Sequence, residues 1–161
     1  MAPPKELLSA LATTDAASRL NALDEQGVLA TAFLPELEEG RGFIQPLRHH
    51  YPVLGHNLAA VASLDQALGV GVEGIKLPDP STSITVTNTL TKELDGLPLL
   101  HLLRLACLVH DIAKPRTATQ ANGKLRFPRH GPVGAELLEE RLAKLGFEET
   151  SITFVTTMVR Y

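Results

Sequence analysis

Apolar residues recur at helical spacing along most of this chain. Leu7, Leu8 and Leu11 mark a first helix over 5–11, behind a Pro3-Pro4 pair that suits an opening turn. Thr13, Thr14 or Asp15 can cap a second helix that carries Leu20 and Leu23 and stops near Gly27. Leu29, Phe33, Leu34 and Leu37 give a third short helix or turn over 28–37, where Pro35 can begin a turn of its own; a polar break follows over 36–42. Pro52 opens a longer helix to Leu68, with Leu54, Leu58, Val61, Leu64 and Leu68 as its core stripe. Another side of that helix aligns His56 with Ala59, Ala60, Ser63 and Ala67, small residues that let a neighbouring helix come close. The stretch 97–114 is nearly all apolar and predicts a helix at the centre of a bundle. Leu137, Leu138, Leu142 and Leu145 stripe a helix from Val133 to about Leu145, with Pro132 at its first position and Gly146 closing it. Ile152, Val155 and Val159 share one face of a last helix, capped by Thr150 or Ser151.

The helical pattern fails between Gly69 and Pro98, a stretch rich in Gly, Pro, Ser and Thr. Loops this long in a compact domain are usually functional or disordered, so the expectation is an excursion, a lid or a mobile loop. Within it Ile84, Val86 and Thr82 alternate like a short strand, and 91–95 can begin a short helix before Gly96. Asn122-Gly123 is a tight-turn signal between two short extended arms, 117–119 and 124–127, which predicts a small hairpin.

These elements make the fold class all-α, a helical bundle with a short hairpin and one long excursion. At 161 residues the chain is the size of one domain, rich in Leu and Ala and without tryptophan. The formal net charge of −3 supplies no global basic field to draw the chain onto nucleic acid, so such a contact has to be local. A lone cysteine, Cys107, rules out a disulfide within the chain and fits a reducing cytoplasm, with Cys107 an inert buried hydrophobe. No span reaches the roughly 20 apolar residues a bilayer crossing takes, so no membrane partner is expected.

Chemistry enters where the central helix ends. His110-Asp111 sits at the end of its apolar run, where burial costs desolvation energy unless something offsets it. A divalent ion offsets it most simply, because it takes neutral imidazole and ionised carboxylate together. His56 from a second helix and His130 from the mouth of a third complete a candidate ligand set of His56, His110, Asp111 and His130. Nitrogen and oxygen donors without thiolate favour Mn, Fe, Co, Ni or Zn over a structural cysteine-type zinc, with Mg as the hard-cation alternative. Taken singly, each histidine also has a plain reading as a structural residue. His101 reads as a core histidine, and Arg104 either orients Asp111 or pairs with another acid.

The segment VHDIAKPRTATQANGKLRFPRHGPVGAELLEERL resembles the HD superfamily of metal-dependent phosphohydrolases. More narrowly, it is similar to the HD domain that follows the nucleotidyltransferase head in bacterial tRNA nucleotidyltransferases. The matching features are His110-Asp111, Lys114-Pro115, Thr117, Asn122-Gly123, Phe127 and the RHGPVGA box, with upstream support from LPEL (34–37) and HHYPVLGHNL. Ala113 stands where that subfamily usually has glycine, and Arg129 and Gly131 flank His130 where glycine and glutamate are usual. The resemblance makes 1–161 a single HD domain, 1–45 a helical lead-in and 46–161 the HD core. It also expects a histidine just past Tyr161 and a further acid on the last helix, so the C-terminus reads as truncated. With no nucleotidyltransferase head in the chain, nucleotide addition is not expected.

The resemblance implies hydrolysis of phosphoesters of nucleotides or RNA ends, as a 2′,3′-cyclic phosphodiesterase or phosphomonoesterase. It gives the metal to His56, His110, Asp111 and His130, with Asp111 alternatively bridging metal and attacking water. Lys114 is then placed to hold a phosphate oxygen, assisted by Arg116 and Arg129. Lys114 and Arg116 also read as ordinary cations at a helix end. His49 and His50 are donors to ligands or substrate, or else surface and capping residues. A fused or partner kinase or nucleotidyltransferase-type domain belongs to the same expectation; the oligomeric state does not follow from it. The alternatives are a catalytically silent nucleotide-binding regulatory module and a helical docking module of a larger protein.

Overall fold

A computed structural model describes residues 2–45, 51–70, 77 and 79–161. Its helices are α1 Lys5–Ala12, α2 Ala16–Glu25, α3 Val53–Leu68, α4 Pro80–Leu90, α5 Leu99–Val109, α6 Lys114–Thr117, α7 His130–Lys144 and α8 Glu149–Arg160. A π-helical turn (Leu29–Phe33) and a 3₁₀ helix (Pro35–Gly40) link α2 to the segment before α3. Two short antiparallel ladders complete the chain: β1 Glu93–Leu94 with β2 Leu97–Pro98, and β3 Thr119–Ala121 with β4 Lys124–Arg126. The all-α expectation holds.

The central helix α5 packs against α1, α3 and α8, and its Leu102, Leu105, Ala106, Leu108 and Val109 join one core with Leu7, Leu11, Leu20, Leu54, Leu58, Val61, Leu138, Leu142 and Val155. Arg104 and Asn57 are polar groups wholly buried in this core. Arg104, 1% exposed, donates from Nε to Asp65 Oδ1 (2.8 Å) and from Nη1 to the Leu11 carbonyl (2.6 Å). Arg104 therefore pairs with another acid instead of orienting Asp111, and ties α5 to α3 and α1. Arg141 Nη2 on α7 donates to Glu36 Oε1 (2.6 Å), and Glu36 is almost wholly buried. The expected polar break at 36–42 is thus a 3₁₀ helix clamped to the bundle.

Several boundaries differ from the sequence reading, each for a local reason. The stretch 97–114 is not one helix: α5 begins after Pro98 and ends at Val109, His110–Ala113 form a turn, and α6 starts at Lys114. Residues 80–90 are helix, not strand, because Asp79 caps the start, its carboxylate accepting from Thr82 N (2.7 Å) behind Pro80. Thr85, Thr89 and Thr91 each donate from the hydroxyl to the carbonyl four residues back. In place of a helix at 91–95, Asp95-Gly96, at φ 54° and 77°, turns β1 into β2. The 119–126 hairpin forms as expected, turning at Asn122-Gly123. Helix α7 starts at His130, three residues before the expected Val133, so His130 lies in its first turn and Pro132 is not its first residue. The small face of α3 is covered only at the His56 end; Ser63 and Ala67 are exposed.

The start of α8 shows how the elements are stitched. Asp95, in the β1–β2 turn, accepts from Ser151 N (2.8 Å) and Ser151 Oγ (2.9 Å), capping α8 from outside its own sequence. Removing that carboxylate with Asp95→Ala should lower stability by about 1 kcal/mol in urea or thermal unfolding. Asp95→Asn, which keeps an acceptor and tolerates the left-handed backbone, should cost distinctly less.

Candidate metal centre

The site assembles at the end of α5, where three segments meet. His56 comes from the first turn of α3, His110 and Asp111 from the turn after α5, and His130 from the first residue of α7. His56 and His110 face each other with Nε2 atoms 3.3 Å apart, rings edge-on at 64° with centroids 5.1 Å apart. Asp111, 2% exposed, presents both oxygens: Oδ2 lies 3.2 Å from His110 Nε2 and 3.5 Å from His56 Nε2, and Oδ1 lies 3.5 Å from His130 Nε2. Donor atoms of His56, His110 and Asp111 all fall within 4.8 Å of one another. His130 stands against the far side of the carboxylate.

Two backbone contacts decide which nitrogens face inward. His110 Nδ1 donates to the Cys107 carbonyl and His130 Nδ1 to the Phe127 carbonyl, each at 2.8 Å. A carbonyl only accepts, so each Nδ1 carries the proton, and the Nε2 of the neutral ring turns a bare lone pair toward Asp111. That is how proteins orient imidazole ligands of a metal. Asp111 Oδ2 is buried and accepts no aligned hydrogen bond. Four bonds of about 2.0–2.1 Å to a tetrahedral ion set neighbouring donors about 3.3 Å apart. The observed spacings of 3.2, 3.3 and 3.5 Å match that, so the residues fit a divalent ion.

Charge organises the rest. Lys114, 7% exposed, places Nζ 2.6 Å from Asp111 Oδ2, 2.7 Å from Gln45 Oε1 and 5.3 Å from the centroid of the Phe127 ring. Burial opposes ionisation of Asp111, but in the metal-free protein the protonated form of His110 and the charge of Lys114 outweigh it, holding the carboxyl below its ordinary range. Burial likewise disfavours the His110 cation, and Asp111 overcomes it, so the His110 pKa is raised. Burial pushes the Cys107 thiol up, away from a thiolate ligand.

The remaining expected residues fall elsewhere or outside. Arg116 is held by Glu39 through its Nη2 (2.5 Å) and Nε in an exposed ion pair. Arg129 is exposed at φ 57°, a left-handed backbone that disfavours non-glycine residues and sits immediately before His130. His49 and His50 lie outside the described residues. His101 is half-buried, and burial together with Arg104 lowers its pKa. A side chain at 131 has no room: a Cβ there would stand 2.9 Å from the Val159 and Arg160 carbonyls, so Gly131 lets α7 lie against the end of α8. Gln45 was not singled out from sequence. Its only signal is a polar residue before Pro46 that turns out to be 5% exposed.

Residues 83–159 match the family model described as HD domain. The chain is 31% identical over 157 residues to the A-adding tRNA nucleotidyltransferase of Deinococcus radiodurans, covering 96% of this chain and 30% of that protein. It is 32% identical over 158 residues to the CC-adding tRNA nucleotidyltransferase of Thermus thermophilus, covering 97% of this chain and 30% of that protein. The chain thus spans about three tenths of the length of these curated relatives. No described helix is long and apolar enough to cross a membrane.

The two shifted groups give opposite pH trends for the metal-free and metal-loaded protein. A raised His110 contributes stability in full below its ordinary 6.5 and loses it as pH rises through its folded value; a lowered Asp111 contributes above 3.8 and loses it as pH falls. Metal-stripped protein should therefore melt highest in the mildly acid window between those values. A divalent ion must displace the His110 proton, so the extra stabilisation by added Mn or Ni should grow as pH rises from 6 to 8. Thermal melts across pH with chelator and with metal check both trends.

Proposed function

Residues 83–159 match the HD-domain family model, and from that match we propose that this chain is a metal-dependent phosphohydrolase acting on phosphoesters of nucleotides or RNA ends, as a 2′,3′-cyclic phosphodiesterase or phosphomonoesterase. The observation that carries the reading is the convergence of His56, His110 and Asp111 donors within 4.8 Å, with the inward Nε2 of His110 fixed by its bond to the Cys107 carbonyl. His56, His110, Asp111 and His130 would hold a divalent transition ion, Mn, Ni, Co, Fe or Zn, with Mg the harder alternative. Such an ion supplies Lewis-acid polarisation of a phosphoryl oxygen and a nucleophile near neutral pH.

The chain's own residues supply the rest. Asp111 stays ionised because of its lowered pKa, so it orients an attacking water by accepting its hydrogen bond and does not retain the proton. Lys114 donates to a non-bridging phosphoryl oxygen and neutralises charge as it develops there. Arg129, exposed beside His130, would assist with the substrate. The relatives are named for adding A or CC to tRNA; for this chain the proposal keeps only RNA ends or nucleotides as substrate and a nucleotidyltransferase-type or kinase domain as partner. The compartment proposed is the cytoplasm.

One observation favours a second reading. The Lys114 ammonium already sits 2.6 Å from Asp111 Oδ2 and partly neutralises the carboxylate an ion would use. A silent nucleotide-binding regulatory module would retain that pair.

Hydrolysis of 2′,3′-cyclic nucleotides by Mn-, Co- or Ni-loaded protein separates the two. Wild type should turn over, and His110→Ala or Asp111→Ala should lose at least about 100-fold in kcat/KM. Nucleotide binding by calorimetry with no product under any of these metals supports the silent module and removes the enzyme reading.

A further inference from the structure

The buried ammonium at the site is gripped from two directions. Lys114 Nζ approaches Asp111 Oδ2 (2.6 Å) from within its own turn and Gln45 Oε1 (2.7 Å) from a residue 69 positions earlier in the chain. An ammonium has three N–H donors and no acceptor. Among the described residues these two oxygens are its side-chain partners, and the Phe127 ring lies beneath it at 5.3 Å, within cation–π range. The orientation of the Gln45 amide is not arbitrary. Its oxygen must face the ammonium, which only donates, and its Nε2 then faces the Tyr51 carbonyl at 3.5 Å, an acceptor. Both ends of the amide agree with one placement.

The segment carrying Gln45 is itself held in place. Phe43, two residues earlier, packs edge-on against Phe127 with ring centroids 6.1 Å apart, and the Phe43 carbonyl accepts from Val53 N (3.1 Å) at the start of α3. Phe127 also supplies the carbonyl that orients His130. Phe127 thus meets the segment of Gln45 and the ammonium of Lys114 with its ring and His130 with its carbonyl.

We infer that Gln45 is a positioning residue for the phosphoryl-binding ammonium of Lys114: its amide oxygen at 2.7 Å, together with Asp111 at 2.6 Å, holds Nζ beside the metal centre and leaves one N–H for a phosphoryl oxygen of substrate. Without that acceptor, Asp111 alone directs the ammonium, and Lys114 collapses onto the carboxylate instead of spanning to substrate. The inference rests on the hydrolytic reading above for its kinetic consequence, though not for the placement of the ammonium.

The test is a double-mutant cycle on the manganese-loaded chain, with 2′,3′-cyclic AMP as probe, combining Gln45→Leu with Lys114→Met. Calorimetric manganese titration and the ¹⁵N-detected ammonium resonance of Lys114 are the parallel readouts. Gln45→Leu should lower kcat/KM about tenfold, largely through KM, as expected for losing a hydrogen bond to a charged group. It should leave manganese affinity within about twofold and broaden away the Lys114 resonance, and in the Lys114→Met background it should cost nothing further. Gln45→Glu, which restores an acceptor oxygen, should bring the resonance back. An equal loss from Gln45→Leu with and without Lys114, or an unchanged Lys114 resonance in Gln45→Leu, overturns the inference. Wild-type protein that hydrolyses nothing overturns the enzyme reading alone, and the Lys114 resonance then decides the role of Gln45 by itself.

Discussion

Imidazole lone pairs and a nearly buried carboxylate point at one another across little more than 3 Å, and the fold around them exists to hold that electrostatically costly arrangement. A carboxylate buried this deeply protonates or finds a cation. Asp111 does not protonate: its environment lowers its pKa despite burial. Its cationic partners are Lys114 and a protonatable His110, and these are groups a divalent ion can displace or share with. Electrostatic need, donor spacing and ring orientation thus lead to the same place.

The scaffold serves this point by fixing backbone, not by enclosing it. Helix α5 ends at Val109, and His110 and Asp111 follow in a turn that brings His110 Nε2 to 3.2 Å from Asp111 Oδ2. Arg104 anchors the other end of that helix to Asp65 and to the Leu11 carbonyl, so α5 and α3 keep the register that brings His56 to His110. Gly131 lets α7 lie on the last turn of α8, which sets the height of His130. Glu36–Arg141 and Phe43–Phe127 bind the lead-in to the same face, and through it Gln45 reaches Lys114.

Much of this was legible in the chain, because helical periodicity in a Leu- and Ala-rich sequence is a strong signal and His110-Asp111 at the end of an apolar run is a chemically expensive placement. The hairpin was readable from Asn122-Gly123, whose backbone conformation few other residue pairs adopt. What was misread turned on local chemistry outweighing pattern. Thr-rich 80–90 alternates like a strand, yet Asp79-Pro80 is a helix start and the threonine hydroxyls bond back along the helix. Asp95-Gly96 is as good a turn signal as Asn122-Gly123, and it turns β1 into β2 where the apolar spacing suggests a helix. Gln45 and the Arg116–Glu39 pair were not legible at all: both depend on tertiary meetings 69 and 77 residues apart in sequence, and neither residue type betrays its partner.

Anomalous diffraction from crystals of the manganese- or nickel-loaded protein tests the central claim most directly. The account predicts one strong anomalous peak within bonding distance, about 2.0–2.2 Å, of His110 Nε2, His56 Nε2 and an Asp111 oxygen, with His130 completing the set. A loaded crystal with no peak among these side chains, or with the ion bound to other residues, would contradict it.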